Sequence, residues 1–229
     1  MLLRAFCAIS LYLFACSSDG PISVNYGGES YETVVIGKQR WLNRNLNYVP
    51  VNADLATNSK CYEDTSDNCD KYGRLYDWAT AMALPSSCNE KYCASFISKK
   101  HKGICPDGWH IPTSADWDKL LRYTDSTSGT DSPYGSAIAG KYLKAKEGWN
   151  DYKGKSGNGE DTYGFSALPS GIGYPDDNFY SLSNYGYWWS ASEINKYSAF
   201  RRGMYYDSDS IGYYSYDKNL MFSVRCLKN

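Results

Sequence analysis

The segment Gly103–Leu121, GICPDGWHIPTSADWDKLL, brings together a cysteine, two prolines, two tryptophans and one of the two histidines of the chain. Its reading decides the fold, because nothing else in the sequence looks more like chemistry. Pro106, Asp107 and Gly108 form a turn. Trp109 and Ile111 read as extended residues. Thr113 stands at a helix N-cap with Asp116 three residues on, close to a capping box. Trp117, Leu120 and Leu121 then form the buried stripe of the helix that follows. His110 sits just before that helix with no partner motif, and a lone histidine does not make a catalytic base. Every residue has a structural task, so the segment is scaffold.

Upstream, YETVVIGKQRWLNRNL from Tyr31 reads strand, turn at Gly37-Lys38, strand. In YGRLYDWATAMAL, Leu75, Trp78, Ala79 and Met82 fall at i, i+3, i+4 and i+7, the spacing of an amphipathic helix ended before Pro85. Downstream, AIAGKYLKA allows a short helical turn, and little helical period follows. The end reads as a meander: YSAFRRGMYY turns at DSDS, IGYYSY turns at DKN, and LMFSVRCL closes the sheet. In that last strand Leu220, Phe222, Val224 and Cys226 share the core face. No internal repeat or composition shift divides the chain, so one α+β domain is expected over residues 30–229.

Eight cysteines are present. Cys7 lies in the apolar leader, and Cys16 is set apart below. The other six, Cys61, Cys69, Cys88, Cys93, Cys105 and Cys226, make an even set in an exported chain, which suggests disulfides. Cys61 and Cys69 flank a turn-rich loop, and Cys88 and Cys93 flank NEKY, so each pair can close a local loop. Cys105 and Cys226 remain and would join the middle of the chain to its end. In the chain-entropy model a loop that long is worth up to about 4–5 kcal/mol. No C-x-x-C occurs and neither histidine has zinc-finger spacing to a cysteine pair, so no metal is expected.

The N-terminus, MLLRAFCAISLYLFACSSDG, carries Arg4 and then an apolar run to Ala15. The run is shorter than the ~20 residues needed to span a bilayer, and it reads as a secretory signal over residues 1–15. Its ending, LFAC, resembles a bacterial lipobox with Cys16 as acceptor. That resemblance implies a diacylglyceryl thioether on Cys16 and acylation of its amine, since stable anchoring takes more than one chain. By resemblance to Gram-negative lipoproteins, Ser17 after the cysteine implies the outer membrane, on its periplasmic or extracellular face. Residues 16–29 are expected to form a lipidated polar tether.

With 24 basic and 25 acidic side chains, the chain lacks the basic excess of a nucleic-acid binder. Its one basic run, Lys99, Lys100, His101 and Lys102, reads as a solvated loop. The 23 tyrosines and 20 glycines instead suit short strands joined by loops.

Six stretches, IGKQRWLNRNLNY, CDKYGRLYDWATA, ICPDGWHIPTSADWDKL, GFSALPSG, YWWSASE and SVRCLK, stand in the order found in the Fibrobacter succinogenes major paralogous domain, which the chain resembles from about Ser30 to Lys228. WHIPTSADWDKLLR with SVRC far downstream is more distantly similar to the formylglycine-generating, sulfatase-modifying domains. That similarity implies a C-type-lectin-like architecture of two helices with irregular antiparallel sheets. Those enzymes use a copper-binding thiol pair. Here Cys226 has no neighbouring cysteine and Cys105 is its expected disulfide partner, so no enzyme activity and no cofactor are expected.

Calcium motifs fail in the same way. WND at Trp149–Asp151 resembles the lectin sugar-site motif but lies far upstream of the final strand. DSDSIG at Asp207 starts like an EF-hand loop, yet has Ile211 at position five and Lys218 at position twelve. Asn158, Glu160 and Asp161 are close enough in sequence for a structural Ca²⁺. The clustered aromatic residues between Tyr185 and Tyr216 are the material of a sugar-stacking surface. Adjacent strand residues face opposite ways, so Trp188 and Trp189 cannot share one core. The expected function is a surface module binding a plant polysaccharide or other glycan, through Trp189, Tyr205 and Tyr214. A structural or protein-binding component of the cell envelope is the alternative.

Overall fold

The computed structural model describes residues 22–52, 54–125 and 135–229. Cys16 and the leader therefore lie outside the described residues. The first described element is a hairpin, β1 (Val24–Tyr26) with β2 (Glu29–Tyr31). Part of the stretch expected to be tether is thus folded. Tyr31 is fully buried and its hydroxyl accepts the Asn47 N–H, which fixes the hairpin to the body. β3 (Thr33–Ile36) and β4 (Gln39–Leu42) pair about Gly37-Lys38 as the sequence predicts. Gly37 has φ +61°, and a Cβ there would strike the Tyr123 ring.

The helix expected from Leu75 to Met82 is not one helix. β5 (Ser59–Lys60) and α1 (Ser66–Tyr72) come first, and β6 (Leu75–Tyr76) pairs with β5. Only α2 (Trp78–Ala81) is helical, started by Asp77, whose Oδ1 accepts the Thr80 N–H at 2.7 Å. Burial raises the Asp77 pKa, with the Thr80 hydrogen bonds opposing. The backbone just before it is spent elsewhere: the Tyr76 N–H donates to Phe222 O and the Trp78 N–H to Lys218 O. The apolar spacing marked burial correctly, since Leu75, Trp78, Ala79 and Met82 are all buried. Tertiary pairing, not helical period, set the backbone.

β7 (Trp109–His110) leads into α3 (Ser114–Thr124), which carries the expected capping box of Thr113 and Asp116. β8 (Gly135–Ser136), α4 (Ala139–Leu143), β9 (Ser170–Gly173) and β10 (Phe179–Leu182) follow. Three long strands then dominate: β11 (Tyr185–Glu193), β12 (Ser198–Tyr205) and β13 (Ser208–Asp217). The larger sheet has the order β10-β9-β11-β12-β13-β8, with only the β9–β11 pair parallel. The last stretch does not complete this meander. Met221, Phe222 and Ser223 make single bridges to Gly173, Tyr76 and Trp188. The chain then enters a second sheet as β14 (Leu227–Lys228), in the order β3-β4-β14-β7. Both sides of this stretch are buried: Phe222, Val224 and Cys226 on one, Met221, Ser223 and Arg225 on the other. A crossing strand buried on both sides has no solvent-facing alternation to place it in one sheet.

The disulfides are Cys61–Cys69, Cys88–Cys93 and Cys105–Cys226, the last closing a separation of 121 residues. They join a mixed fold of few helices and mainly antiparallel sheets. β11 is covered on both faces. Trp189 meets the Phe222 ring and joins the core cluster that holds Trp78, Cys105 and Cys226; Trp188 meets the Trp117 ring and joins the cluster that holds Trp41, Phe165 and Met204. Trp117 of α3 is central to the second group, 4.9 Å from the Trp41 ring and 6.1 Å from Phe165.

Candidate functional site

The scaffold side is organised around Asn45. Its Oδ1 accepts from Trp188 Nε1 at 2.8 Å, from Arg225 Nη2 at 2.8 Å and from Arg225 Nε at 3.1 Å; its Nδ2 donates to Tyr72 O and Ser223 Oγ. The Arg225 guanidinium lies 4.4 Å from the Phe165 ring centroid and donates to Phe165 O and Leu42 O. The segments NRNL, GFSALPSG, YWWSASE and SVRC thus meet in one buried network. His110 belongs to the scaffold too: it is buried, its Nδ1 lies 2.7 Å from Asn229 Oδ1, and its Nε2 is 3.5 Å from Asp116 Oδ2.

The other face of the large sheet is different. Strand register aligns Tyr187 with Gly203 and Gly212, Trp189 with Arg201 and Tyr214, and Ala199 with Tyr216. Side chains two apart share a face, so Tyr185, Tyr187, Arg201, Tyr205, Tyr214 and Tyr216 stand together. Gly203 makes the cluster possible: a Cβ there would collide with the Arg201 guanidinium and crowd the Tyr205 hydroxyl. Arg201 Cζ sits 4.0 Å from the Tyr187 ring centroid, 4.4 Å from Tyr216 and 5.4 Å from Tyr214. Its Nη1 donates to the Tyr205 hydroxyl at 3.3 Å, while its buried Nε has no hydrogen-bond partner. Among the described residues no carboxylate pairs with it. Burial raises the Tyr187 pKa, only partly opposed by Arg201, so this phenol stays neutral.

Tyr214 and Tyr216 are 52% and 40% exposed, Tyr205 is half-buried, and Arg201 beneath them is 2% exposed. The guanidinium holds the rings by cation–π attraction and leaves their outer faces to solvent. Such a surface can stack on the apolar face of a sugar ring or receive a protein side chain.

Of the three expected ligand residues, Tyr205 and Tyr214 lie on this face. Trp189 does not reach solvent: it is fully buried, and its Nε1 donates to Tyr76 O at 2.8 Å. The Met221–Ser223 stretch covers that end of β11, and the Trp189 N–H donates to Ser223 O. Sequence reading missed Arg201, and Tyr216 bounded the expected region without being singled out. Their signal was the period-two spacing of Arg201-Gly203-Tyr205 and Gly212-Tyr214-Tyr216, which needs strand register to become a cluster.

The calcium motifs serve other ends. Trp149 is buried, with Nε1 donating to Ala167 O. Asn158 accepts the Trp149 N–H, Glu160 pairs with Lys141, and Asp161 accepts from Ser166, so the three do not converge. Lys218 is wholly buried; its ammonium donates to Cys88 O, Lys91 O, Lys196 O and Glu193, over the Trp78 ring. Burial lowers its pKa while Glu193 opposes. No group of three or more potential metal-binding side chains occurs among the described residues.

Residues 34–228 match the model of the Fibrobacter succinogenes major domain. The chain belongs to that family. No curated protein and no solved structure matches it. Within this Fibrobacter succinogenes major domain, the Asn45–Arg225 network draws on five of the six stretches quoted above, all but ICPDGWHIPTSADWDKL. Of the tyrosine face only Tyr187 falls within them.

Proposed function

We propose that the chain is a non-catalytic glycan-binding module on an exported protein anchored by lipid at Cys16. The observation that carries the reading is the platform of Tyr205, Tyr214 and Tyr216 held over Arg201. Rings fixed before binding lose less freedom when a ligand stacks on them, so less of the contact energy is spent on ordering. A C-type-lectin-like architecture is the finer fold reading. Its supports are the few short helices, the mainly antiparallel sheets and the disulfide from mid-chain to the end. No helix among the described residues is long and apolar enough to cross a membrane. On this reading attachment rests on Cys16, and Cys16→Ser should release the protein from the outer-membrane fraction.

The test of binding is retention of the full-length chain, in detergent, on insoluble cellulose and xylan. Tyr214→Ala/Tyr216→Ala should lower retention at least tenfold with little change in Tm. Equal retention by the variant removes the platform from the function. If neither polysaccharide retains the wild type, a contact with another envelope protein takes the place of the glycan.

A further inference from the structure

A concavity of about 380 Å³, apart from the tyrosine face, opens where α3 begins. Lys38, Lys99, Lys100, Lys119 and Lys228 line it. They come from the β3–β4 turn, the loop ahead of Cys105, α3 and β14, so the fold and not a sequence run gathers them. The chain carries a net charge of −1, which makes five lysines around one pocket a local excess. The basic run 99–102 is divided. Lys102 pairs with Asp107 and His101 Nε2 meets Met82 O, whereas Lys99 and Lys100 line the pocket.

The one acidic side chain in the lining, Asp116, is already engaged. Its Oδ1 accepts from Lys119 Nζ at 3.0 Å, and its Oδ2 accepts from the Thr113 hydroxyl and faces His110 Nε2. Among the described residues Lys38, Lys99, Lys100 and Lys228 have no carboxylate partner. Like charges around one concavity repel, and a bound anion relieves them.

We propose that this pocket binds a tetrahedral oxyanion, a sulfate or phosphate group. Lysine ammonium groups act as compact point charges without the planar fork of arginine, which suits a tetrahedral ion approached from several sides. The same chemistry can arrive as the free ion or as an ester on a polysaccharide.

His110 gives the readout, because it lines the pocket and the chain has only two histidines. The full-length chain in detergent is titrated with inorganic phosphate, with dextran sulfate and with uncharged dextran, and the His110 imidazole resonances are followed. A saturable shift is expected with a charged probe and none with dextran. Lys38→Gln/Lys99→Gln/Lys100→Gln/Lys228→Gln should bind at least tenfold more weakly; Lys38→Gln and Lys228→Gln alone should show smaller losses should the fourfold variant misfold. Tighter binding of dextran sulfate assigns the site to an ester on a chain, and tighter binding of phosphate assigns it to the free ion. Tyr214→Ala/Tyr216→Ala should bind both probes as the wild type does, which separates failure of this pocket from failure of the tyrosine face. The proposal is overturned if neither probe shifts His110, if sodium chloride at equal ionic strength does the same, or if the lysine variants bind unchanged.

Discussion

Arg225 and Arg201 are both almost fully buried, at 1% and 2% exposure, and they do opposite things. Arg225 is satisfied by Asn45, Leu42 O and Phe165 O, and burial pushes its pKa below the ordinary arginine value. Arg201 has aromatic faces in place of acceptors, and an Nε with no partner. A buried charge surrounded by acceptors fixes a fold, because each acceptor removed leaves desolvated charge behind. A buried charge surrounded by rings with open outer faces fixes a surface instead. The comparison separates the part of the molecule that makes the family fold from the part that can meet a ligand.

The largest effect should come from breaking the satisfied arginine. Asn45→Ala strips an acceptor from Arg225 and from Trp188 Nε1 together. A loss of about 3–5 kcal/mol is expected, the scale for uncompensated buried charge, read as a fall in the denaturation midpoint. A loss under about 1 kcal/mol would put Arg225 on the same footing as Arg201. Next comes the covalent tie beside it. Cys105→Ser/Cys226→Ser should cost about 2–4 kcal/mol, with β14 still paired to β4 and β7 in the folded chain. Under non-reducing conditions peptide mapping of the wild type should recover all three pairs.

Acid tests the same side of the molecule more gently. Burial raises the Asp116 pKa, but hydrogen bonds from His110, Thr113 and Lys119 outweigh it, holding the carboxyl well below its ordinary 3.8. A depressed carboxylate contributes stability that is present above its unfolded value and lost as pH falls toward the folded one. Asp116→Asn should therefore cost about 1–2 kcal/mol at neutral pH and flatten the loss of stability below pH 3.8. An acid limb as steep as that of the wild type would assign it to other carboxylates.

The legible part of the sequence was the part where local pattern and tertiary role agree. The Thr113–Asp116 capping box, the Trp117-Leu120-Leu121 stripe, the Gly37 turn and the two short cysteine loops each state their geometry within a few residues. Leu75–Met82 misled because its burial was periodic while its backbone donors were claimed by Phe222 and Lys218, far along the chain. Met221–Arg225 misled because a strand buried on both sides has no polar face to orient it. At the site, ring content was visible but register was not. Trp189 and Tyr214 stand on the two strands that flank Arg201, and only the covering stretch at Phe222 and Ser223 buries one and spares the other.

The smallest effect on stability, and the sharpest test of the comparison, belongs to Arg201→Met. Methionine keeps the unbranched apolar stem of arginine out to the Nε position and removes the charge. The loss is the cation–π attraction of Tyr187 and Tyr216, each about 0.5–2 kcal/mol. The gain is release from holding a desolvated charge with an unpaired Nε, which costs a similar amount. The two nearly cancel, so stability should change by no more than about 1 kcal/mol. The rings lose their peg, however, since the Tyr205 hydroxyl no longer accepts from Nη1 and Tyr214 and Tyr216 no longer face a cation. Glycan retention should then fall several-fold at nearly constant Tm, and Arg201→Lys should restore part of it, because an ammonium still attracts the ring faces without filling the guanidinium plane. If Arg201→Met unfolds the chain as Asn45→Ala does, the two arginines are one kind of scaffold residue. If it leaves both Tm and retention untouched, the tyrosine face needs no cation beneath it.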